Sequence, residues 1–341
     1  MNCGENKFCA ATSQKLVQFG KQVSRLHQGQ AIEAITCESC GYVGFPIPNE
    51  QVLYDYYSTQ YGADTDDWYN LEADYAKEKV NPRAENAIDH LQKYGMGKDA
   101  VIMEVGCAFG GSVQELRNRG YVAYGSDLNS DAIAKGRQRG NKHIFDQSAD
   151  IVLQSENRKV NFLYALHALE HIPDPVAYLS SLKPCLADEA VLEFRIPSGA
   201  YLRAWLEGFE DWVWFMYPAH LHLFTPRSLV CLTESAGYEL LSVKSTVCCE
   251  PLERITSLFN LNLETDQDKL SAFYNAFLGP NFQFEELQFE ICAKDSVFAR
   301  KFATQIAASK TRCMENQSLE IAIKEAVRVA KPKVGVADGS A

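Results

Sequence analysis

The chain has 341 residues, 46% hydrophobic and 11% aromatic, enough for a full core and about two domains, which excludes a disordered chain. Its net charge is −11 without any dense Lys/Arg run, which disfavours nucleic acid as a partner. No stretch nears the ~20 apolar residues that span a bilayer, the start MNCGENKFCAATSQ lacks an apolar signal core, and the odd count of eleven scattered cysteines reads as reduced thiols, so a cytoplasmic protein without a membrane partner is expected.

Residues 1–50 form a short Cys-bearing segment closed by FPIPNE. Within it, Cys37-Glu38-Ser39-Cys40-Gly41 has the form of half a zinc knuckle: two thiols on a tight turn whose glycine opens the backbone. A tetrahedral ion needs two further ligands, for which Cys3 and Cys9 are the candidates. The alternative is a small reduced turn without metal. Residues 51–80, rich in Tyr and Asp, are expected to form a helical cap.

Residues 81–295 carry a different pattern. PRAENAIDHLQK places Ala84, Ala87, Ile88 and Leu91 at helical spacing, with Gly95 and Gly97 as stops. Apolar runs at 100–106, 121–127, 143–145, 160–166, 190–197 and 239–247 read as strands. Helical segments at 111–120, 131–140, 174–186 and 225–238 separate most of them, Thr225 being a plausible N-cap and Gly237 a stop. This alternation predicts an α/β fold with a doubly wound, mostly parallel sheet. Residues 282–295 supply a last strand, giving seven, and 296–341 a helical extension that frays at its end.

The turn Glu104-Val105-Gly106-Cys107-Ala108-Phe109-Gly110-Gly111 follows the first strand. Its small residues let the backbone approach a ligand, and the helix start offers unpaired N–H groups. Read as a relaxed G-x-G-x-x-G, it also fits a dinucleotide site. Glu104 is placed to meet a cationic ligand group, and Asp127, closing the second strand, to accept hydrogen bonds from ribose hydroxyls. The alternatives are a solvated strand-end carboxylate and a helix cap.

At His167-Ala-Leu-Glu170-His171-Ile-Pro-Asp174-Pro the sequence resembles class I S-adenosylmethionine (SAM)-dependent methyltransferases, in particular the bacterial branch with LEHIPDP after the fourth strand. EVGCAFGG resembles that family's first motif, with Ala108 for the usual middle glycine, and YGSDLN its ribose motif. CESCGYVGFPIPNEQVLYDYY resembles the zinc-ribbon lead-in of some members, including methyltransferases of sugar and natural-product pathways. The resemblance implies a Rossmann-like fold, SAM as cofactor and zinc as a second candidate. It assigns SAM binding to Glu104, Gly106, Cys107, Ala108, Gly110, Asp127 and Leu128. Asp146 and Gln147 would lie near the adenine, and Leu166 and His167 near the methionine moiety.

In methyl transfer the protein aligns the acceptor and, where needed, removes its proton. Four of the seven histidines, 167, 171, 220 and 222, follow the fourth and fifth strands, whose loops line the crevice of an open α/β sheet. His171 is the first candidate base, oriented by Glu170. His222, His220 and Tyr217 come next, any of them able to serve as packing instead. The insertion 201–224 is rich in aromatics and is expected to wall the acceptor. The function expected is methylation of a small molecule, such as a sugar nucleotide or natural-product intermediate. An NAD-dependent oxidoreductase or epimerase and a non-catalytic SAM-binding scaffold are the alternatives. The oligomeric state is open, a homodimer being one reading.

Overall fold

The computed structural model describes residues 14–19, 32–37, 40–49, 51–53, 56, 82–199, 217–246 and 286–315. Most of the expected cap, residues 201–216 of the aromatic insertion, the end of the tail, and Cys3 and Cys9 lie outside the described residues.

After three short strands, β1 (Gln14–Phe19), β2 (Ile32–Cys37) and β3 (Val43–Gly44), helix α1 (Pro82–Lys93) begins on a proline whose missing N–H costs nothing at a helix start. It buries Ala84, Ala87, Ile88 and Leu91, the expected stripe. Then come β4 (Val101–Val105), α2 (Gly111–Asn118), β5 (Val122–Ser126), α3 (Ser130–Gln138) and β6 (Ile144–Phe145). They are followed by α4 (Ala149–Ser155), β7 (Val160–Leu166), a 3-10 turn Leu169–His171, α5 (Pro175–Leu182) and β8 (Leu186–Pro197). The described chain ends with β9 (His222–Leu223), α6 (Pro226–Ser235), β10 (Tyr238–Thr246), β11 (Glu286–Ala293), α7 (Val297–Lys301) and α8 (Ala303–Glu315). Side chains start four of these helices: Asn129 accepts from Ala132 N, Asp174 from Ala177 N, Thr225 from Ser228 N and Ser296 from Ala299 N.

The large sheet has the order β6-β5-β4-β7-β8-β11-β10. β11 runs antiparallel to both neighbours, and the rest of the ladder from β6 to β8 is parallel. This is the mostly parallel, seven-stranded sheet expected. Its central strands alternate between two cores, as the two-residue period of a strand requires. Met103, Leu163 and Phe194 face α4, α5 and α6 through Val152, Leu179 and Leu229. Ile102, Phe162 and Val191 face α1, α2 and α8 through Leu91, Leu116 and Ile306. β8 starts four residues earlier than its apolar run, because Asp188 and Glu189 are exposed on its first turns and mask it in sequence. α4 was not anticipated, since seven residues with only Ala149, Val152 and Leu153 buried give too short a period to read.

β1, β2 and β3 form a second, antiparallel sheet that ends on β9, with Val43 opposite Leu223 and Gly44 opposite His222. The Cys-bearing segment is thereby fastened to the chain just before α6. No local sequence signal announces so short a bridge.

Under β8 and β11 lies a buried charged network. His90 Nε2 is 2.6 Å from Glu193 Oε2 and 3.1 Å from Glu290 Oε1, and Lys93 Nζ is 2.7 Å from Glu290 Oε2. Burial disfavours the imidazolium, but its hydrogen bonds to Glu193 and Glu290 outweigh it and raise His90 from 6.5 to about 9. The Glu290 carboxyl is lowered from its ordinary 4.5, burial being outweighed by His90, Lys93 and Ser242. The His90 contribution is therefore complete below pH 6.5 and lost as pH rises through about 9. That of Glu290 is complete above pH 4.5 and lost on acidification. Thermal melts should show Tm falling between pH 6.5 and 9, with a shallower fall in His90→Gln; equal slopes would refute this account.

Candidate active site

The carboxyl ends of β4 and β7 mark the point where the strand order reverses, the place where open α/β sheets bind ligands. The turn after β4 holds three residues at positive φ: Gly106 at 74°, Ala108 at 48° and Gly110 at 72°. Gly110 has no room for a side chain, because a Cβ would collide with Ile144 and Asn141. Ala108 is held there by its N–H, which donates to Asp127 Oδ2 at 2.8 Å. Asp127 Oδ1 accepts from Asn129 N at 2.8 Å. The carboxylate just past β5 thus braces the turn, while the cap of α3 is supplied by Asn129 rather than Asp127. Beside it Leu128, one of the expected SAM-binding residues, is 72% exposed.

Glu104 is buried on β4, and its Oε2 has no hydrogen-bond partner. Arg83 Nη1 lies 3.4 Å from Oε1. Burial pushes the Glu104 carboxyl from 4.5 up to about 7 against the pull of Arg83. A buried carboxylate on the strand that leads into the glycine turn fits the ammonium end of SAM's methionine. Cys107 is buried in the turn. Asp146 is exposed and paired with Arg137 at 3.3 Å, and Gln147 beside it is exposed.

The end of β7 gathers the acid–base candidates. His167, next to Leu166, sits at φ 53°. Its Nε2 is 3.0 Å from Glu286 Oε1 and its Nδ1 3.3 Å from Glu170 Oε1. Burial opposes the imidazolium, but the two carboxylates raise it from 6.5 to about 9, making His167 a cation at neutral pH. Glu170 is wholly buried, with His220 Nε2 at 3.9 Å and His171 Nε2 at 4.0 Å from Oε1. Burial is outweighed by His167, His171 and His220, and its carboxyl falls to about 2. His171 is only partly buried and meets His220 edge-on at 4.7 Å. Burial, with the His167 cation, lowers its pKa from 6.5, so it stays neutral.

The structure brings Glu170, His171 and His220 together and sets His222 apart from that task. His222 Nδ1 is 2.5 Å from Tyr42 OH and Nε2 2.8 Å from the Ile172 carbonyl, so both nitrogens are engaged. Burial lowers it to about 4. It pins the small sheet to the loop after β7, the packing alternative left open for this histidine. The Tyr217 ring packs on Phe45 at 6.3 Å, on the side of the small sheet. Tyr42→Phe should lower Tm by leaving a buried imidazole nitrogen unpaired, about 1–3 kcal/mol, while kcat is retained. A parallel loss of kcat would return His222 to the chemistry.

Sequence reading missed Arg83, Arg195 and Glu286. Arg195 Nε lies 3.9 Å from Glu286 Oε2, and Glu286 reaches the crevice only because β11 inserts antiparallel beside β8, with Glu286 opposite Pro197. The expected strand at 282–295 carried no signal for that placement. Ligand atoms of Glu170, His171 and His220 lie within 4.8 Å of one another, as do those of His90, Glu193 and Glu290. In the first group His167 pairs with Glu170, and in the second Lys93 pairs with Glu290. Of the four expected zinc ligands, Cys37 ends β2 and Cys40 lies in the turn after it, both buried, and Cys3 and Cys9 lie outside the described residues.

Residues 77–243 match a family model described as a methyltransferase domain. The ubiquinone biosynthesis O-methyltransferase of Pasteurella multocida is 22% identical over 201 residues, 50% of this chain and 81% of that protein. A SAM-dependent methyltransferase from Archaeoglobus fulgidus superposes with a TM-score of 0.44 at 16% identity, covering 66% of this chain and 99% of that one. Magnesium protoporphyrin IX methyltransferase from Synechocystis, with bound S-adenosylhomocysteine, gives 0.45 at 13% identity over 72% and 100%. Of the two enzyme readings, the family match favours methyl transfer over NAD chemistry.

Proposed function

Since this chain is a class I SAM-dependent methyltransferase, with its domain at residues 77–243, we propose that it methylates a hydroxyl of a small molecule, a sugar nucleotide or natural-product intermediate, with His171 accepting the proton. The observation that carries this reading is the partly exposed imidazole of His171, its pKa lowered by burial, held beside a fully buried carboxylate in the turn after β7. When bound, SAM supplies a sulfonium-activated methyl group and its own leaving group.

The chain's residues do the rest. Glu104 meets the ammonium of the methionine end, and Asp127 takes the ribose hydroxyls while bracing the turn through Ala108 N. Leu128 gives the adenine an apolar surface, bordered by Asp146 and Gln147. Glu170 carries the charge that keeps His167 protonated, and burial with the His167 cation lowers the His171 pKa against the pull of Glu170. A base that is neutral at working pH can take a proton as the acceptor oxygen attacks. His220 supports the ring of His171 edge-on. The net charge of −11 argues for a small acceptor over RNA. The relative acting in ubiquinone biosynthesis supports oxygen as the acceptor atom.

The test is transfer of labelled methyl from SAM to a panel of hydroxylated metabolites and sugar nucleotides, with RNA and protein alongside. Label in a small-molecule ether supports the reading. Label confined to RNA or protein, or to an amine or carbon, would overturn it.

A further inference from the structure

At the carboxyl end of β8 the fold holds a cation, Arg195, for which it supplies too few acceptors. Arg195 lies two residues before the strand ends, on the same face of the sheet as Glu193. Register places Leu166 of β7 opposite it, and the His167 N–H donates to its carbonyl at 2.8 Å, which ties its backbone to the end of β7. The side chain is 29% exposed, yet its Nε is buried without a hydrogen-bond partner. Among the described residues the nearest carboxylate is Glu286, whose Oε2 lies 3.9 Å from Nε, beyond hydrogen-bond reach. Glu286 turns its other oxygen to His167 Nε2 at 3.0 Å.

The polar neighbours on that face are committed elsewhere. Gln288, opposite Arg195 in the β8–β11 ladder, donates its Nε2 to Glu193 Oε1 at 2.9 Å, and Asn86 Nδ2 donates to the same oxygen at 3.1 Å. His90 Nε2 holds Glu193 Oε2 at 2.6 Å. A guanidinium carries five N–H donors in a planar fork, and burying Nε without an acceptor costs free energy that an oxyanion at the fork recovers. Position also separates Arg195 from the cofactor. Glu104 and the glycine turn belong to β4 and Asp127 follows β5, whereas β8 lies two strands from β4 on the side away from β5, about 10 Å off. The guanidinium beside Glu104 is that of Arg83. The aromatic insertion expected to wall the acceptor follows β8 in the chain.

We propose that Arg195 anchors an oxyanion of the acceptor, a phosphate or carboxylate group on the small molecule that is methylated. This rests on the small-molecule hydroxyl reading of the site and narrows it. Sugar nucleotides qualify through their diphosphate, and natural-product intermediates only where they carry an acid group. Arg195 binds and orients the acceptor and exchanges no proton with it, because a guanidinium stays charged at any working pH. Glu286 competes with the bound anion for Arg195 and so moderates its affinity.

Calorimetry on the full-length protein with S-adenosylhomocysteine bound reads the site without turnover. The probes are inorganic pyrophosphate, uridine diphosphate and benzoate, with uridine as the neutral control. Binding of either phosphate probe identifies the anion as phosphate, and binding of benzoate alone identifies it as carboxylate. In Arg195→Gln the anion should lose about 10- to 100-fold in affinity, the range of charge-assisted hydrogen bonds, while S-adenosylhomocysteine changes by less than about threefold. Arg195→Lys keeps the charge without the fork and should fall between. Glu286→Gln should bind the anion at least as tightly as wild type. In transfer assays the Arg195→Gln loss should appear in the acceptor KM, with kcat within about threefold, as for a group that binds ground and transition states alike. The proposal falls if no probe binds more tightly than uridine. It falls if Arg195→Gln weakens S-adenosylhomocysteine as much as the anion, which would make the residue a cofactor ligand. It falls equally if Glu286→Gln and Arg195→Gln lose the anion alike, the mark of an ion pair that only supports the fold. Failure of the hydroxyl reading shows separately, since label in an amine or carbon would leave anion binding intact.

Discussion

Asp127→Ala should weaken S-adenosylhomocysteine binding by about a hundredfold to ten-thousandfold in a calorimetric titration. Two hydrogen bonds from ribose hydroxyls to a carboxylate are worth about 1.5–3 kcal/mol each, and every 1.4 kcal/mol is tenfold in Kd. The substitution also frees Ala108 N and Asn129 N, which the carboxylate now holds at 2.8 Å. Ala108 sits at φ 48°, which a non-glycine residue adopts only when its surroundings insist. The cofactor turn should therefore loosen as well as lose its ribose contact. Asp127→Asn keeps one acceptor oxygen and should fall between the two. Binding within about threefold of wild type in the Ala variant would mean that Asp127 is only a brace, and the ribose is held elsewhere.

What could be read beforehand was what short sequence windows encode. Val101–Val105 and Val160–Leu166 are apolar runs ended by loops, and their strands fall where the pattern put them. The turn after β4 declared itself through Gly106 and Gly110, because the backbone there needs positive φ and, at Gly110, no side chain. Contacts made across long separations were hidden. Glu286 meets His167 only through an antiparallel strand inserted between β8 and β10, and the Thr225 hydroxyl meets the Cys40 carbonyl across 185 positions of chain. His222 illustrates the limit within the site itself. Its position in the chain is as suggestive as that of His171, and only the Tyr42 hydroxyl and Ile172 carbonyl on its two nitrogens separate the roles.

His171→Ala should lower kcat by about 10²–10⁴-fold, the range that a positioned general base contributes, while S-adenosylhomocysteine affinity stays near wild type. The accompanying pH profile is the sharper readout. The free imidazole has a pKa near 6.5, and burial with the neighbouring His167 cation lowers it here. Activity in the wild type should then rise with pH through an inflection below 6.5 and be level at neutral pH, since the neutral ring is the competent form. Removing His171 should remove that inflection along with the rate. Glu170→Gln acts on the same balance from the other side. The carboxylate that holds His167 as a cation and attracts His220 and His171 is gone, so the inflection should move rather than vanish. If the acid limb persists unchanged in His171→Ala, the proton goes elsewhere. His220, whose Nε2 lies 3.9 Å from Glu170 Oε1, would then be the base, and His171 its edge-on support.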